Sequence, residues 1–150
     1  MEIEKINKYQ NGKIYCIRSQ STDELYIGST IEKYLSNRFG GHNRAYSRFL
    51  NGKYHFMSSF EIIKLGDAYI ELMETYPCNS KLELCKREGE LIREHKINCV
   101  NRCIAGRTRK QYQIDNDEKL KKNGKQYWIE NREKIKEPRK QYYEKNKEGI

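Results

Sequence analysis

Four side chains able to handle a phosphate and a proton crowd into one short stretch of this chain: the phenols of Tyr15 and Tyr26, the guanidinium of Arg38 and the imidazole of His42. A guanidinium is a permanently charged, forked donor suited to phosphate oxygens. An imidazole exchanges protons near neutral pH. A phenol, with a pKa of about 10, serves as a base only when neighbours favour its phenolate or pass its proton onward, and His42, Lys13 or a metal-bound hydroxide are the candidates for that help. Cleaving a phosphodiester also calls for charge neutralisation on the non-bridging oxygens and assistance to the leaving alkoxide, work that a divalent cation held by a carboxylate can do. The carboxylate best placed for it is Glu88, beside the apolar side of a helical pattern and a turn from Leu84 and Leu91, where an unpaired carboxylate would be costly. Taken singly each residue has a plainer explanation: strand tyrosines, a surface arginine, a hydrogen-bonded histidine at the core edge, a glutamate paired with Lys86 or Arg87.

The elements that must position these groups can be read from pattern. Lys13–Arg18 and Glu24–Ile27 are β-branched and aromatic runs separated by Ser19-Gln20-Ser21-Thr22-Asp23, which predicts a β-hairpin. Ser29 and Glu32 have the spacing of a capping box and predict a helix starting directly after the second strand, with Arg38 and His42 on one face. Leu35, Phe39, Tyr46 and Phe49 form its apolar stripe, and Gly40-Gly41 predicts a bend or break within it. A short helix over 58–65 follows, then a third strand over 68–74, stopped by Pro77. Ser80 and Glu83 make a second capping box, opening a helix to about Lys96 with Leu82, Cys85, Gly89 and Ile92 facing inward. Residues 98–101 return to extended chain. The expected fold class is α+β: a small, mainly antiparallel three-stranded sheet flanked by helices, over residues 1–106. Ile3 and Ile6, in a polar lead-in, are expected to pack against the sheet.

Charge is unevenly shared. The whole chain of 150 residues carries +9, yet residues 1–101 hold 15 Lys and Arg against 13 Asp and Glu, whereas residues 102–150 hold 15 against 8. A basic excess points to a polyanionic partner. The last segment, 107–150, is an internal repeat of period 15: Lys-Gln-Tyr opens each copy at Lys110, Lys125 and Lys140, with Asn116, Asn131 and Asn146 in phase and Leu120, Ile135 and Ile150 likewise. Asn123-Gly124 and Pro138 interrupt the pattern at one phase, predicting one short helix per copy, helical or partly disordered overall. Tyr112, Tyr127, Trp128, Tyr142 and Tyr143 interleave with lysines, the composition of a nucleic-acid contact; Arg107, Arg109, Lys110, Lys125, Trp128 and Lys140 are its candidate residues, with Lys13 as a further phosphate contact. Five cysteines without a C-x-x-C pair point to free thiols in a reducing compartment. His95, Cys99 and Cys103, with Cys85, have metal-like spacing, but Cys85 and Cys99 fall on apolar runs where cysteine behaves as a small hydrophobe. With no leader and no apolar run of membrane-spanning length, the expectation is a soluble intracellular protein with no membrane partner.

The order Lys13-Ile14-Tyr15, Tyr26-Ile27-Gly28, Arg38-x-x-x-His42 and Arg87-Glu88 resembles the GIY-YIG nucleases, over residues 13 to about 106. Lys13 stands where the first glycine of the family's name would be, a backbone feature and not a catalytic group. The resemblance implies a metal-dependent DNA endonuclease of the homing-endonuclease type, with Tyr15 as general base and Tyr26 orienting the phosphate or water. It further implies Arg38 on the phosphate, Glu88 holding one divalent cation (Mg²⁺, with Mn²⁺ as substitute) and no other cofactor, and Asn101 steadying the site. His55 occupies roughly the place of a further histidine of some members. The alternative is a nucleic-acid-binding protein that keeps this fold without turnover, a reading prompted by Gly40-Gly41.

Overall fold

The computed structural model describes residues 6–147; Ile3 and Ile150 lie outside them. Contacts divide the chain into two compact units, Met1–Arg107 and Thr108–Ile150. In the first, a short 3-10 turn leads into β1 (Lys13–Ser19), β2 (Thr22–Thr30), α1 (Leu35–Leu50), α2 (Phe60–Ile63), β3 (Tyr69–Thr75) and α3 (Lys81–Glu94). The sheet order is β2-β1-β3, both pairings antiparallel. This is the α+β architecture read from the sequence.

With β1 in the centre and both faces covered, Ile14, Tyr15, Cys16 and Ile17 are all buried, and the two-residue period of a strand sends them alternately to two cores. Ile14 and Cys16 join Leu25, Ile27 and the α3 residues Leu84, Leu91 and Ile92. On the other face Tyr15 and Ile17 join Phe60, Ile62 and Ile63 of α2, with Leu35, Phe39, Tyr46 and Phe49 of α1 packed against them. The sheet therefore separates α3 from α1 and α2, and groups from the two sides can meet only at its rim.

Six local expectations are corrected. Ile6 does not pack against the sheet and is 88% exposed. The hairpin is tighter than the five-residue loop, with Ser19 paired to Thr22 and only Gln20-Ser21 turning. A distant carboxylate closes it: Asp67 accepts from the Ser19 and Ser21 hydroxyls and the Gln20 amide. Ser29 caps no helix, because it is still in β2 opposite Ile14; α1 begins after Tyr34 without a side-chain cap. Nor do Gly40 and Gly41 break α1, which is continuous. Their intrinsic cost, about 2 kcal/mol, is outweighed by burying the Leu35, Phe39, Tyr46 and Phe49 stripe and by anchoring His42. On α3, Leu82 points to solvent, 70% exposed, two positions past the Ser80 cap; Leu84 takes the inward place.

The last correction is in the second unit. The structure has α4 (Arg109–Asp115) and then a single α5 (Asp117–Lys145) that passes through Gly124 and Pro138, in place of one short helix per repeat. Long Lys, Glu, Gln and Arg side chains favour helix on both sides of those breakers. Each in-phase asparagine also bonds back one turn, Asn116 to the Tyr112 carbonyl at 2.9 Å, Asn131 to Tyr127 at 2.9 Å and Asn146 to Tyr142 at 2.7 Å. No residue of α4 or α5 is buried. Among the described residues no helix is long and apolar enough to cross a membrane.

Candidate active site

Tyr15 leaves β1 on the α1 face directly opposite Gly28 of β2. Its ring lies across that glycine: a Cβ on Gly28 would stand 2.5 Å from the Tyr15 hydroxyl and 2.6 Å from Cζ. The glycine lets a fully buried phenol reach over the edge strand to the rim of the sheet. There Arg38 Nε donates to the Tyr15 oxygen at 2.9 Å, and His42 Nε2 lies 2.7 Å from the same atom. The other ring nitrogen, Nδ1, is 2.9 Å from the hydroxyl of Ser59, which is wholly buried. Tyr26 packs edge-on to His42, ring centroids 5.4 Å apart, and tilted to Tyr15 at 6.5 Å. The helical spacing of four that places Arg38 above His42 thus delivers a guanidinium and an imidazole to one phenol oxygen.

Burial pushes the Tyr15 phenol up, with Arg38 pulling it back by charge and hydrogen bond. Tyr26 is driven up further by burial and by the neighbouring Tyr15 and Glu88, so neither phenol ionises spontaneously at neutral pH. His42 is held down to about 4, by burial first and the Arg38 charge second, and is neutral at pH 7. The neutral ring has one donor and one acceptor nitrogen. With Nδ1 protonated it donates to Ser59 and takes the Tyr15 proton on Nε2, which makes a continuous chain from Arg38 through Tyr15 and His42 to Ser59.

This histidine gives the fold a pH signature. The unfolded chain binds its proton below about 6.5, the folded chain only near 4, so its contribution to stability is complete above pH 6.5 and is lost as pH falls toward 4. The gap is worth about 3 kcal/mol. Glu88, with a raised pKa, acts in the opposite sense, favouring the folded state while it is still protonated. Urea melts of wild type and His42→Gln between pH 4 and 7 isolate the histidine: the stability advantage of the wild type shrinks by about 3 kcal/mol toward pH 4. A difference that does not vary with pH would mean that the imidazole is not buried in its neutral form.

Glu88 approaches from the opposite face. The α3 helix is opened by Ser80, whose hydroxyl accepts from the Glu83 amide, and it carries Glu88 on the flank of the Leu84 and Leu91 stripe. The Ser29 hydroxyl donates to Glu88 Oε2 at 2.5 Å. Burial raises the Glu88 pKa, offset by Ser29 and then by Arg38. Asn101 fixes the same rim differently. Its side-chain oxygen accepts from the Ile27 amide and its side-chain nitrogen donates to the Ile27 carbonyl, both at 2.8 Å, so the carboxamide stands in for one residue of a neighbouring strand. Residues 98–100 pair with Leu25 just before it, through a single parallel bridge. Glu88, Asn101 and Tyr26 line one hollow with Phe56, Met57 and Ser58. Ser29 and Arg38 line another, of about 430 Å³, with Asn37, Gly41 and Arg44.

Of the residues singled out from the sequence, Tyr15, Tyr26, Arg38 and His42 form one cluster, and Glu88 and Asn101 reach the same edge of β2. Lys13 turns away, its ammonium on the carbonyls of Asn11 and Glu32 at 3.1 and 2.9 Å. His55 is exposed and stacked on Tyr54. Trp128 is exposed on α5, with the Arg132 guanidinium over its ring. Sequence reasoning missed the role of Ser29 and did not find Ser59; the one signal for Ser59 is that a hydroxyl in so apolar a stretch needs a buried partner.

Among the described residues no three His, Cys, Asp or Glu side chains are grouped to cage a metal. A lone carboxylate with one oxygen held by a serine suits Mg²⁺, which is commonly bound through one or two carboxylates, substrate phosphate and retained waters. The donor set fits such an ion at Glu88.

Among solved structures, the catalytic domain of the intron endonuclease I-TevI, in a mutant form, is similar with a TM-score of 0.46 and 23% identity, over 63% of this chain and 95% of that one. No curated protein matches the chain significantly. The family model of the GIY-YIG catalytic domain matches residues 11–101, which is more than half of the chain and takes in the hairpin, α1, Glu88 and Asn101; the protein belongs to this family of endonucleases.

Proposed function

We propose that this protein is a metal-dependent DNA endonuclease that hydrolyses phosphodiester bonds at the β2 rim. The observation that supports it best is the convergence of a guanidinium and a neutral imidazole on one phenol oxygen, beside a half-buried carboxylate arriving from the other face of the sheet. Arg38 binds the scissile phosphate through its free guanidinium nitrogens while its Nε holds Tyr15 in place. Tyr15 accepts a proton from the attacking water and passes its own to His42 Nε2. No free phenolate has to form, which answers the objection that a buried phenol is too weak a base. Ser59 fixes the tautomer of His42 and so acts as a positioning residue. Tyr26 orients the phosphate or the water, and Asn101 keeps the β2 edge in register with Glu88. Glu88 would hold Mg²⁺ or Mn²⁺, which would supply Lewis acidity at the phosphate and leaving oxygen.

The test is nicking of supercoiled plasmid by the purified protein with Mg²⁺ or Mn²⁺, against an EDTA control. Metal-dependent nicking is expected; tight DNA binding without any nicking would establish the alternative, a binding protein without turnover.

We further propose that residues 107–150 grip the nucleic acid, with Arg107, Arg109, Lys110, Lys125, Trp128 and Lys140 among the contacts. On α5 the residues Trp128, Arg132, Ile135, Lys136, Arg139 and Lys140 share one surface, the mixture of flat rings and cations that suits a polyanion. Deleting 107–150 is expected to weaken DNA binding at least tenfold at 100 mM salt and to flatten its salt dependence, by about 0.9 in slope for each phosphate that the tail no longer neutralises. Fluorescence anisotropy across a salt series reads it, and an unchanged slope would rule the tail out as a contact.

A further inference from the structure

The two glycines inside α1 have a cost in helix stability and no backbone angle that demands them. What lies over them is one side chain. A Cβ on Gly40 would stand 3.2 Å from Arg44 Nη1, and one on Gly41 would stand 4.0 Å from Nη2. Side chains on a helix lean toward its N-terminus, so Arg44 lies back along the bare backbone of its own preceding turn. That direction is toward Arg38, and the two arginines line the same cleft together with Asn37, Gly41 and the Ser29–Glu32 segment.

Arg87 is neutralised by Glu74 and Glu90 at 2.8 Å and Arg102 by Glu61 at 3.3 Å, whereas Arg48 and Arg93 have no ion pair among the described residues. Arg44 forms no hydrogen bond or ion pair among the described residues, and Glu32 on the cleft wall pairs with neither Arg44 nor Arg38. An uncompensated guanidinium beside the one assigned to the scissile phosphate, over a stretch of helix stripped of side chains, has the chemistry of a second phosphate site. We propose that Arg44 is a positioning residue that binds the backbone phosphate next to the scissile one, and that Gly40 and Gly41 are there to let its guanidinium and the DNA backbone lie close against α1. The proposal rests on the endonuclease reading. Contacts to backbone phosphates fix the register of a protein on a strand, which is the role assigned to Arg44.

The experiment uses the full chain and supercoiled plasmid. Arg44→Gln is expected to raise KM about tenfold and to lower kcat less than threefold, because the contact positions the strand without touching the reacting atoms. Gly40→Ala is expected to move stability and binding in opposite directions, raising the melting temperature by about 4 °C while raising KM about threefold. A purely structural role for the glycines would not produce that split. On a duplex carrying a cut site mapped on the plasmid, single uncharged methylphosphonate linkages are then placed one at a time on either side of the cut. One flanking position should weaken the wild type about as much as Arg44→Gln does and should weaken Arg44→Gln no further. Wild type that nicks, with Arg44→Gln matching its KM or with the two effects adding at every flanking position, overturns the inference alone. Wild type that fails to nick under any metal condition overturns the endonuclease reading and this inference with it.

Discussion

Replacing Arg38 with alanine is expected to slow plasmid nicking by about 10³-fold or more, about 4 kcal/mol of transition-state stabilisation, with DNA affinity changed only a few-fold. The effect is large because the residue acts at two points. In the proposed mechanism its guanidinium neutralises the phosphate as charge develops there, and its Nε–H is one of the two contacts that hold the Tyr15 oxygen. Folding is expected to suffer little, by about 1 kcal/mol, since Tyr15 keeps His42 as a partner. Arg38→Lys should not rescue, because an ammonium cannot bond the phenol and fork onto a phosphate at once. Glu88→Ala should be equally inactive for a separate reason, loss of the single carboxylate suited to a divalent ion, and it should melt at or above the wild-type temperature because a half-buried acid has been removed. Single-turnover nicking with saturating enzyme measures both variants. Rates within tenfold of wild type in either one would overturn the assignment of that residue.

Gly28→Ala should be the most damaging of the small substitutions. Its methyl group cannot coexist with the Tyr15 ring at 2.5–2.6 Å, so the ring must leave the β2 rim. Overpacking of this kind costs about 1–3 kcal/mol, and the displaced hydroxyl would part from both Arg38 and His42. The expected result is a domain that still folds, melts at lower urea and nicks at least 100-fold more slowly. Tyr15→Ala on the same background should return most of the stability and none of the activity, which distinguishes a ring displaced from the site from a sheet that fails to form. Near-wild-type nicking by Gly28→Ala would mean that the phenol need not lie over β2.

Local signals told most of the fold. The hairpin, the Ser80 cap and the alternation of Ile14, Tyr15, Cys16 and Ile17 depend on neighbours within a few residues, and such neighbours are visible in sequence. The errors arose where distant groups decide. Ser29 and Glu32 have the spacing of a cap, yet the strand pairing with Ile14 leaves the Ser29 hydroxyl free for Glu88, 59 residues away. Gly40 and Gly41 have a poor propensity for helix, and tertiary burial overrides it. Pro138 and Gly124 lie in a helix that their own preferences argue against. In the site, residue types in order pointed to Tyr15, Tyr26, Arg38, His42, Glu88 and Asn101. Pattern alone could not reveal that Ser59 sits behind the histidine, because nothing nearby in sequence marks the contact. Nor does the motif show why its last glycine is there; that reason is the phenol lying across it.

The paired bonds between the Asn101 side chain and Ile27 span 74 residues. A chain made from its N-terminus on the ribosome presents the hairpin and α1 early, with their phenols, guanidinium and imidazole. The carboxylate of Glu88 and the clasp of Asn101 follow much later. Until they emerge, the nascent protein holds half a cutting edge, and the rim it must close against is still an open strand. In the proposed mechanism the enzyme becomes able to cut DNA only once Asn101 has left the ribosome, long after the hairpin and α1.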